Sequence, residues 1–163
     1  MKIYLLTHER ELDRPTNTGS IALSIAGGDG GLVQRVIWSR TSPSQPLLSV
    51  LESGDSGLLY PQSEIAGPEV SLEQCEHFVL LDATWQEARK MYNRSPYLHP
   101  LKRVALNVTE TSRYTLRRNQ RQGGLCTAEC VIEILRQKGQ GALAAEMESE
   151  FAAFNAGLVE GRH

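Results

Sequence analysis

His77-Phe78-Val79-Leu80-Leu81-Asp82-Ala83-Thr84-Trp85 is the stretch on which the fold turns. Phe78 to Leu81 is an unbroken apolar run, the pattern of a strand buried on both faces. A helix with Trp85, Ala88, Met91 and Tyr92 along one side begins directly after it. Asp82 therefore stands at the carboxyl end of a strand, where open α/β sheets bind their ligands. Thr84 and Glu87 form a capping box, each side chain satisfying the other's free backbone N–H, and need no chemical role. Asp82 lies outside that box. On local sequence a turn or cap role for it weighs as much as a chemical one.

Working outward, Lys2 to Thr7 reads as a first strand, followed by a polar turn and a short helix from Thr18 to Ala26 with Asn17 as its N-cap. The glycine run from Gly27 to Gly31 lacks the lysine and hydroxyl of a P-loop and the spacing of a dinucleotide fingerprint, so it reads as a turn. A second strand spans about Leu32 to Trp38, a short helix Leu47 to Glu52, and a short buried strand Gly57 to Pro61. Beyond the central helix come a strand from Arg103 to Val108 and a long basic loop from Thr109 to Gly124. Thr127 is expected to cap the next helix, whose Ala128, Val131, Ile132 and Leu135 fall at core spacing. A last helix, about 140–156, sets Leu143, Met147, Phe151 and Phe154 along one side. Strands alternating with helices imply an α/β domain with a mostly parallel sheet covered on both faces.

The 163 residues, 40% of them hydrophobic, suit one domain over 1–163. No run reaches the length of a membrane span and the start is too short for a signal peptide, so a cytoplasmic protein without membrane contact is expected. Cys75, Cys126 and Cys130 have neither the density of a disulfide scaffold nor the partners of a metal site.

The net charge of −2 hides an uneven distribution. Arg89, Lys90, Arg94, Lys102, Arg103, Arg113, Arg117, Arg118 and Arg121 crowd one segment whose sole acidic residue is Glu110. Tyr92, Tyr97 and Tyr114 interleave with them, suiting base stacking beside phosphate contacts. On the central helix Gln86, Lys90 and Arg94 recur every four residues as a polar stripe. RNA contact outweighs a merely solvated face.

Asp82-x-Thr84-Trp85 resembles the signature of the DTW-domain family, which is similar to SPOUT-like RNA-modifying enzymes and includes tRNA-uridine aminocarboxypropyltransferases. Further segments match in the same order: His8-Glu9-Arg10-Glu11, Arg14-Pro15-Thr16-Asn17-Thr18-Gly19, Ser112-Arg113-Tyr114 with Arg117, and Leu125-Cys126-Thr127-Ala128-Glu129. The resemblance covers about residues 2–136. Glu9 stands where proline is usual, Ala83 where glycine is usual, and Cys126 where serine is usual.

The resemblance implies a SPOUT-like fold in which the chain near the cofactor loops can be knotted. It also implies transfer of the 3-amino-3-carboxypropyl group of S-adenosylmethionine to nitrogen 3 of a uridine, in tRNA before other RNAs, with no metal. Two alternatives stand beside it: a SPOUT-like RNA methyltransferase and a non-catalytic RNA-binding module. The family pattern puts Asp82 in a catalytic role, as acceptor of the uracil imide proton or as an orienting group. Leu59, Tyr60, Leu81, Thr84, Trp85, Leu125, Thr127 and Glu129 are the expected donor-binding residues, with plain core duty competing at Trp85 and helix-start duty at Thr127 and Glu129. Asn17, Thr18, Lys90, Arg94, Arg113, Tyr114, Arg117 and Arg118 are the expected substrate- and RNA-binding set, with Asn17 and Thr18 donating to the nucleotide or to the donor's carboxylate. Turn and cap duty competes at Asn17 and Thr18, and Arg113 and Arg117 suit either RNA phosphate or the donor carboxylate. His8 reads as a strand-end histidine, and the sequence is silent on oligomeric state.

Overall fold

Alternate residues of the two central strands enter opposite cores, and this divides the molecule into layers. In a computed structural model, which describes residues 1–28, 30–59, 69–104 and 126–160, Ile3, Leu5, Phe78 and Leu80 face one apolar cluster, while Leu6, Val79 and Leu81 face another. Period-two alternation on strands that are apolar on both sides demands helices on both faces.

The strands are β1 (Lys2–Thr7), β2 (Val33–Ile37), β3 (Ser56–Leu59), β4 (Glu69–Val70), β5 (His77–Asp82) and β6 (Lys102–Val104). They form one sheet in the order β2-β1-β5-β3-β6-β4, and every pairing among them is parallel. The helices are α1 (Gly19–Ala26), α2 (Gln45–Leu51), α3 (Trp85–Asn93), α4 (Thr127–Gln137) and α5 (Gly141–Glu160). Ile21 and Ala22 of α1, Val131 and Leu135 of α4, and Met147 and Phe151 of α5 pack on one face of the sheet. Leu47 of α2 and Ala88 and Met91 of α3 pack on the other.

This layering positions the site. The connection leaving β1 runs through α1 on one face, and the connection leaving β5 runs through α3 on the opposite face. Adjacent parallel strands whose exits diverge leave a crevice at their carboxyl ends, the topological switch point. Thr7 and Asp82, the last residues of β1 and β5, are register partners there.

The α/β class with a parallel sheet agrees with the sequence reading, and several boundaries move. Asn17 is the cap of α1 that the sequence predicts, whereas Thr18 holds the N-cap position, and the Asn17 side-chain Oδ1 accepts from the Ser20 N–H at 3.1 Å. Thr127 is the first residue of α4 and Cys126 its N-cap, because Glu129 reaches back to the Cys126 N–H at 3.1 Å and closes the turn from inside. The α2 helix starts two residues earlier than read, at Gln45, since Ser44 accepts from the Leu47 N–H at 3.3 Å. The two-residue strand β4 is too short for any periodicity to announce it. Residues 60–61 and 105–108 of the expected strands lie outside the described residues.

Candidate active site

Asp82 ends a strand whose four preceding residues, Phe78 to Leu81, are all buried, so the fold carries its carboxylate inward with the rest of β5; the residue is 1% exposed. A buried carboxylate must find donors or lose more solvation energy than the fold can offset. Its Oδ1 accepts from Asn17 Nδ2 at 3.0 Å and from the Thr127 hydroxyl at 2.8 Å. Its Oδ2 accepts from the Thr7 hydroxyl at 3.0 Å and lies 3.5 Å from Arg35 Nη2. These donors come from β1, the turn before α1, β2 and α4, so one side chain ties together four separate parts of the chain. Gly19 completes the enclosure, for a Cβ there would stand 2.7 Å from Asp82 Oδ2.

Around this carboxylate the network extends outward through Asn17. Its Nδ2 also donates to Glu11 Oε1 at 3.1 Å, and its Oδ1 accepts from Arg35 Nη2 at 3.0 Å as well as from Ser20. Every hydrogen-bonding position of that amide is thereby filled. Glu11 pairs with Arg14, whose guanidinium fork also grips Glu87 with two bonds of 3.0 Å. Glu87 closes the capping box with Thr84: Glu87 Oε1 accepts from the Thr84 N–H at 3.1 Å, and the Glu87 N–H donates to the Thr84 hydroxyl at 3.2 Å. Burial by itself would raise the Glu87 carboxyl, but the Arg14 bonds, the Thr84 N–H and the Arg14 charge together hold it below the usual carboxylate range. Arg14 is correspondingly held up, above all by its bond to Glu87.

His8 accepts from the Arg10 N–H through Nδ1 and stacks on Trp38 with ring centroids 5.7 Å apart, a structural placement beside the cluster. Burial pushes the Cys126 thiol far up, which makes it an inert packing group. Among the described residues no three His, Cys, Asp or Glu side chains gather in a way that could hold a metal ion.

The expected site residues fall into three groups. Asp82, Asn17, Thr18, Thr84, Thr127 and Glu129 converge on the carboxyl ends of β1 and β5. Within that group Asn17 and Thr18 are turned inward and buried, and the Thr18 hydroxyl accepts from the Ala128 N–H at 3.1 Å. Leu59 and Leu81 are buried core residues on opposite faces of the sheet. Lys90 and Arg94 are exposed on α3 and at its C-cap, together with Arg89. Tyr60, Arg113, Tyr114, Arg117, Arg118, Leu125 and the Trp85 side chain lie outside the described residues. Sequence reasoning missed Thr7 and Arg35 as members of the site. Each sits inside a strand pattern, and only the tertiary fold brings them to Asp82.

The segments that meet here are far apart in sequence, and they match a family model. The match to the DTW domain covers residues 1–158. The chain belongs to the DTW domain family. It is 35% identical over 95 residues to tRNA-uridine aminocarboxypropyltransferase 2 of Drosophila melanogaster, an alignment spanning 55% of this chain and 36% of that protein. No solved structure matches the chain. Among the described residues no helix of this DTW protein is long and apolar enough to cross a membrane.

Proposed function

We propose that this DTW protein transfers the 3-amino-3-carboxypropyl group of S-adenosylmethionine to nitrogen 3 of a uridine in tRNA, at the crevice between β1 and β5. The carrying observation is the convergence of the family's separated motifs on the Asp82 carboxylate. The likeness to a protein named for this reaction supports the same reading. The fold is proposed to be SPOUT-like, an arrangement in which the chain near the cofactor loops can be knotted. The reaction is proposed to run in the cytoplasm without a metal.

In the transfer, the uridine nitrogen attacks the methylene next to sulfur and a nitrogen–carbon bond forms. The carbon–sulfur bond breaks, its electrons neutralise the sulfonium, and methylthioadenosine leaves. The imide proton must depart from nitrogen. Asp82 is the acceptor we assign, reached through Thr127, because the oxygens of Asp82 are enclosed while Thr127 is only half-buried. The Thr127 hydroxyl takes the imide proton as it passes its own to Oδ1, 2.8 Å away.

At neutral pH Asp82, Glu11 and Glu87 against Arg14 and Arg35 leave the cluster one negative charge in excess. That excess favours a donor carrying a positive sulfur and disfavours the neutral thioether left behind. The amino end of α4, with Thr127 and Glu129, and the ends of β3 and β5, with Leu59, Tyr60, Leu81, Thr84, Trp85 and Leu125, are proposed to bound the donor pocket. Lys90 and Arg94, with Arg113, Tyr114, Arg117 and Arg118, are proposed to hold the RNA.

The test is to incubate the protein with S-adenosylmethionine and unmodified tRNA and to analyse both products by mass spectrometry. Methylthioadenosine together with an aminocarboxypropyl-uridine is expected. Adenosylhomocysteine with a methylated nucleoside would replace this reading with methyl transfer. Neither product, from folded protein, would leave RNA binding alone.

A further inference from the structure

Arg35 reaches the site from the edge strand β2, and nothing in its own sequence neighbourhood marks it. Its Nε donates to the Thr7 hydroxyl at 3.2 Å, and its Nη2 donates to Asn17 Oδ1 at 3.0 Å while lying 3.5 Å from Asp82 Oδ2. A guanidinium donates and never accepts, so it fixes both neighbours. Asn17 must turn its oxygen to Arg35 and its amino group to the carboxylates, and Thr7 must receive on a lone pair, leaving its proton for Asp82 Oδ2 at 3.0 Å or the Leu5 carbonyl oxygen at 3.2 Å.

Those bonds use one edge of the guanidinium and leave Nη1 unspent. Among the described residues Nη1 has no partner, and the sole buried side-chain nitrogen or oxygen lacking one is Ser56 Oγ. Nη1 therefore reaches solvent on a side chain that is 23% exposed, at the carboxyl end of the sheet and next to Asp82. The result is a fixed cation, anchored through Nε and Nη2 and left with Nη1 to donate.

We propose that Arg35 is the specificity-determining residue that binds the carboxylate of the donor's amino-acid arm; this rests on the aminocarboxypropyl-transfer reading above. A carboxylate oxygen is an acceptor that the remaining Nη1 can meet in a charge-assisted hydrogen bond. The surroundings select it over an RNA phosphate. Asp82, Glu11 and Glu87 lie in the same cluster, and their excess negative charge repels a bare anion. It accommodates a ligand whose carboxylate is accompanied by an ammonium and a sulfonium. Arg35 beside Asp82 is thus complementary to the zwitterionic end of the very group to be transferred, and holding that end aims the adjacent methylene at the nucleophile.

Calorimetry on the full chain with S-adenosylmethionine and with its decarboxylated analogue tests this, because the analogue keeps both positive charges and lacks only the carboxylate. The wild-type protein should bind S-adenosylmethionine tighter than the analogue by on the order of 10- to 100-fold, the weight of a charge-assisted pair. Arg35→Gln should erase that preference by weakening S-adenosylmethionine alone, and Arg35→Lys should restore part of it. Equal wild-type affinity for the two donors overturns the proposal without any variant. So does an Arg35→Gln protein that weakens both donors alike, which would make Arg35 a scaffold, or one that weakens only tRNA, which would make it a phosphate contact. Wild-type protein that binds neither donor overturns this proposal and the transfer reading together, an outcome distinct from the others.

Discussion

Gly19 and Asp82 set the tolerance of the site at the scale of single atoms. Alanine is the better helix former by about 1 kcal/mol, so Gly19→Ala would be expected to help α1. The added Cβ would stand 2.7 Å from an Asp82 oxygen that Thr7 holds from the other side, and something must shift. Gly19→Ala should therefore lower transfer at least about tenfold, the scale at which misplacing a reacting group is felt. Helix content should be unchanged; methylthioadenosine release and far-ultraviolet circular dichroism on the same sample check both halves. Asp82→Asn removes the proposed proton acceptor and sets an amino group against hydroxyl and amide donors. Transfer should fall by about 10²–10⁴-fold. Leaving buried donors unmatched should also cost about 1–3 kcal/mol of stability, visible in urea titration. Thr127→Val keeps the shape but breaks the relay, so it should match the loss of transfer. An active Thr127→Val enzyme would remove the relay from the mechanism.

At the scale of elements, the capping box at α3 does more than its sequence suggests. Thr84 and Glu87 are legible as a box because the pattern is local, and the structure contains it. The second use of Glu87, its bidentate pair with Arg14, joins residues 73 apart and has no local signal. The same contrast holds across the fold. The strands β1 and β5 and the apolar sides of α3, α4 and α5 follow from periodicity, whereas Arg35, an arginine in a strand, acquires meaning only from the order β2-β1-β5. Asn17 and Thr18 read locally as turn and cap residues, and their bonds to Asp82 and to the Ala128 N–H appear only in the fold. Because Glu87 both caps and pairs, Glu87→Ala should cost more than the roughly 0.5–2 kcal/mol of a cap alone. The pair also carries a pH signature. A carboxyl held below its ordinary value of 4.5 stabilises the fold fully at pH above that value, and the contribution is lost as pH falls through the lowered folded value. Thermal melts from pH 6 downward should therefore converge for wild type and Glu87→Gln at acidic pH. Curves that stay parallel would remove the Arg14–Glu87 pair from the stability of the fold.

At the scale of the whole molecule, the two helical layers differ in charge, and this gives the protein a side from which RNA should approach. Arg89, Lys90 and Arg94 are exposed along α3 and its C-cap, and none has an ion-pair partner among the described residues. Like charges at i and i+4 such as Lys90 and Arg94 slightly destabilise a helix, so an unpaired stripe suggests an external anion. On the opposite layer, α5 exposes Glu146, Glu148 and Glu150 and contains no lysine or arginine, and Glu148 engages Arg136 of α4. The basic stripe also starts at the site: α3 opens directly after Asp82, and a helix rising about 1.5 Å per residue carries Arg94 roughly 15 Å from Thr84. A tRNA strand laid along α3 would thus bring a nucleotide to the crevice while the acidic layer faces away. Phosphate contacts release counterions, with a slope in the logarithm of affinity of about −0.7 per contact on single strands and −0.9 on duplex. Lys90→Gln with Arg94→Gln should flatten the salt dependence of tRNA binding by about 1.4–1.8 units, whereas Glu146→Gln with Glu148→Gln should leave that slope alone. Because these side chains are exposed, donor binding and melting temperature should hold in both double variants. If the slope of the α3 double variant equals that of wild type across a salt titration, the RNA does not lie along α3.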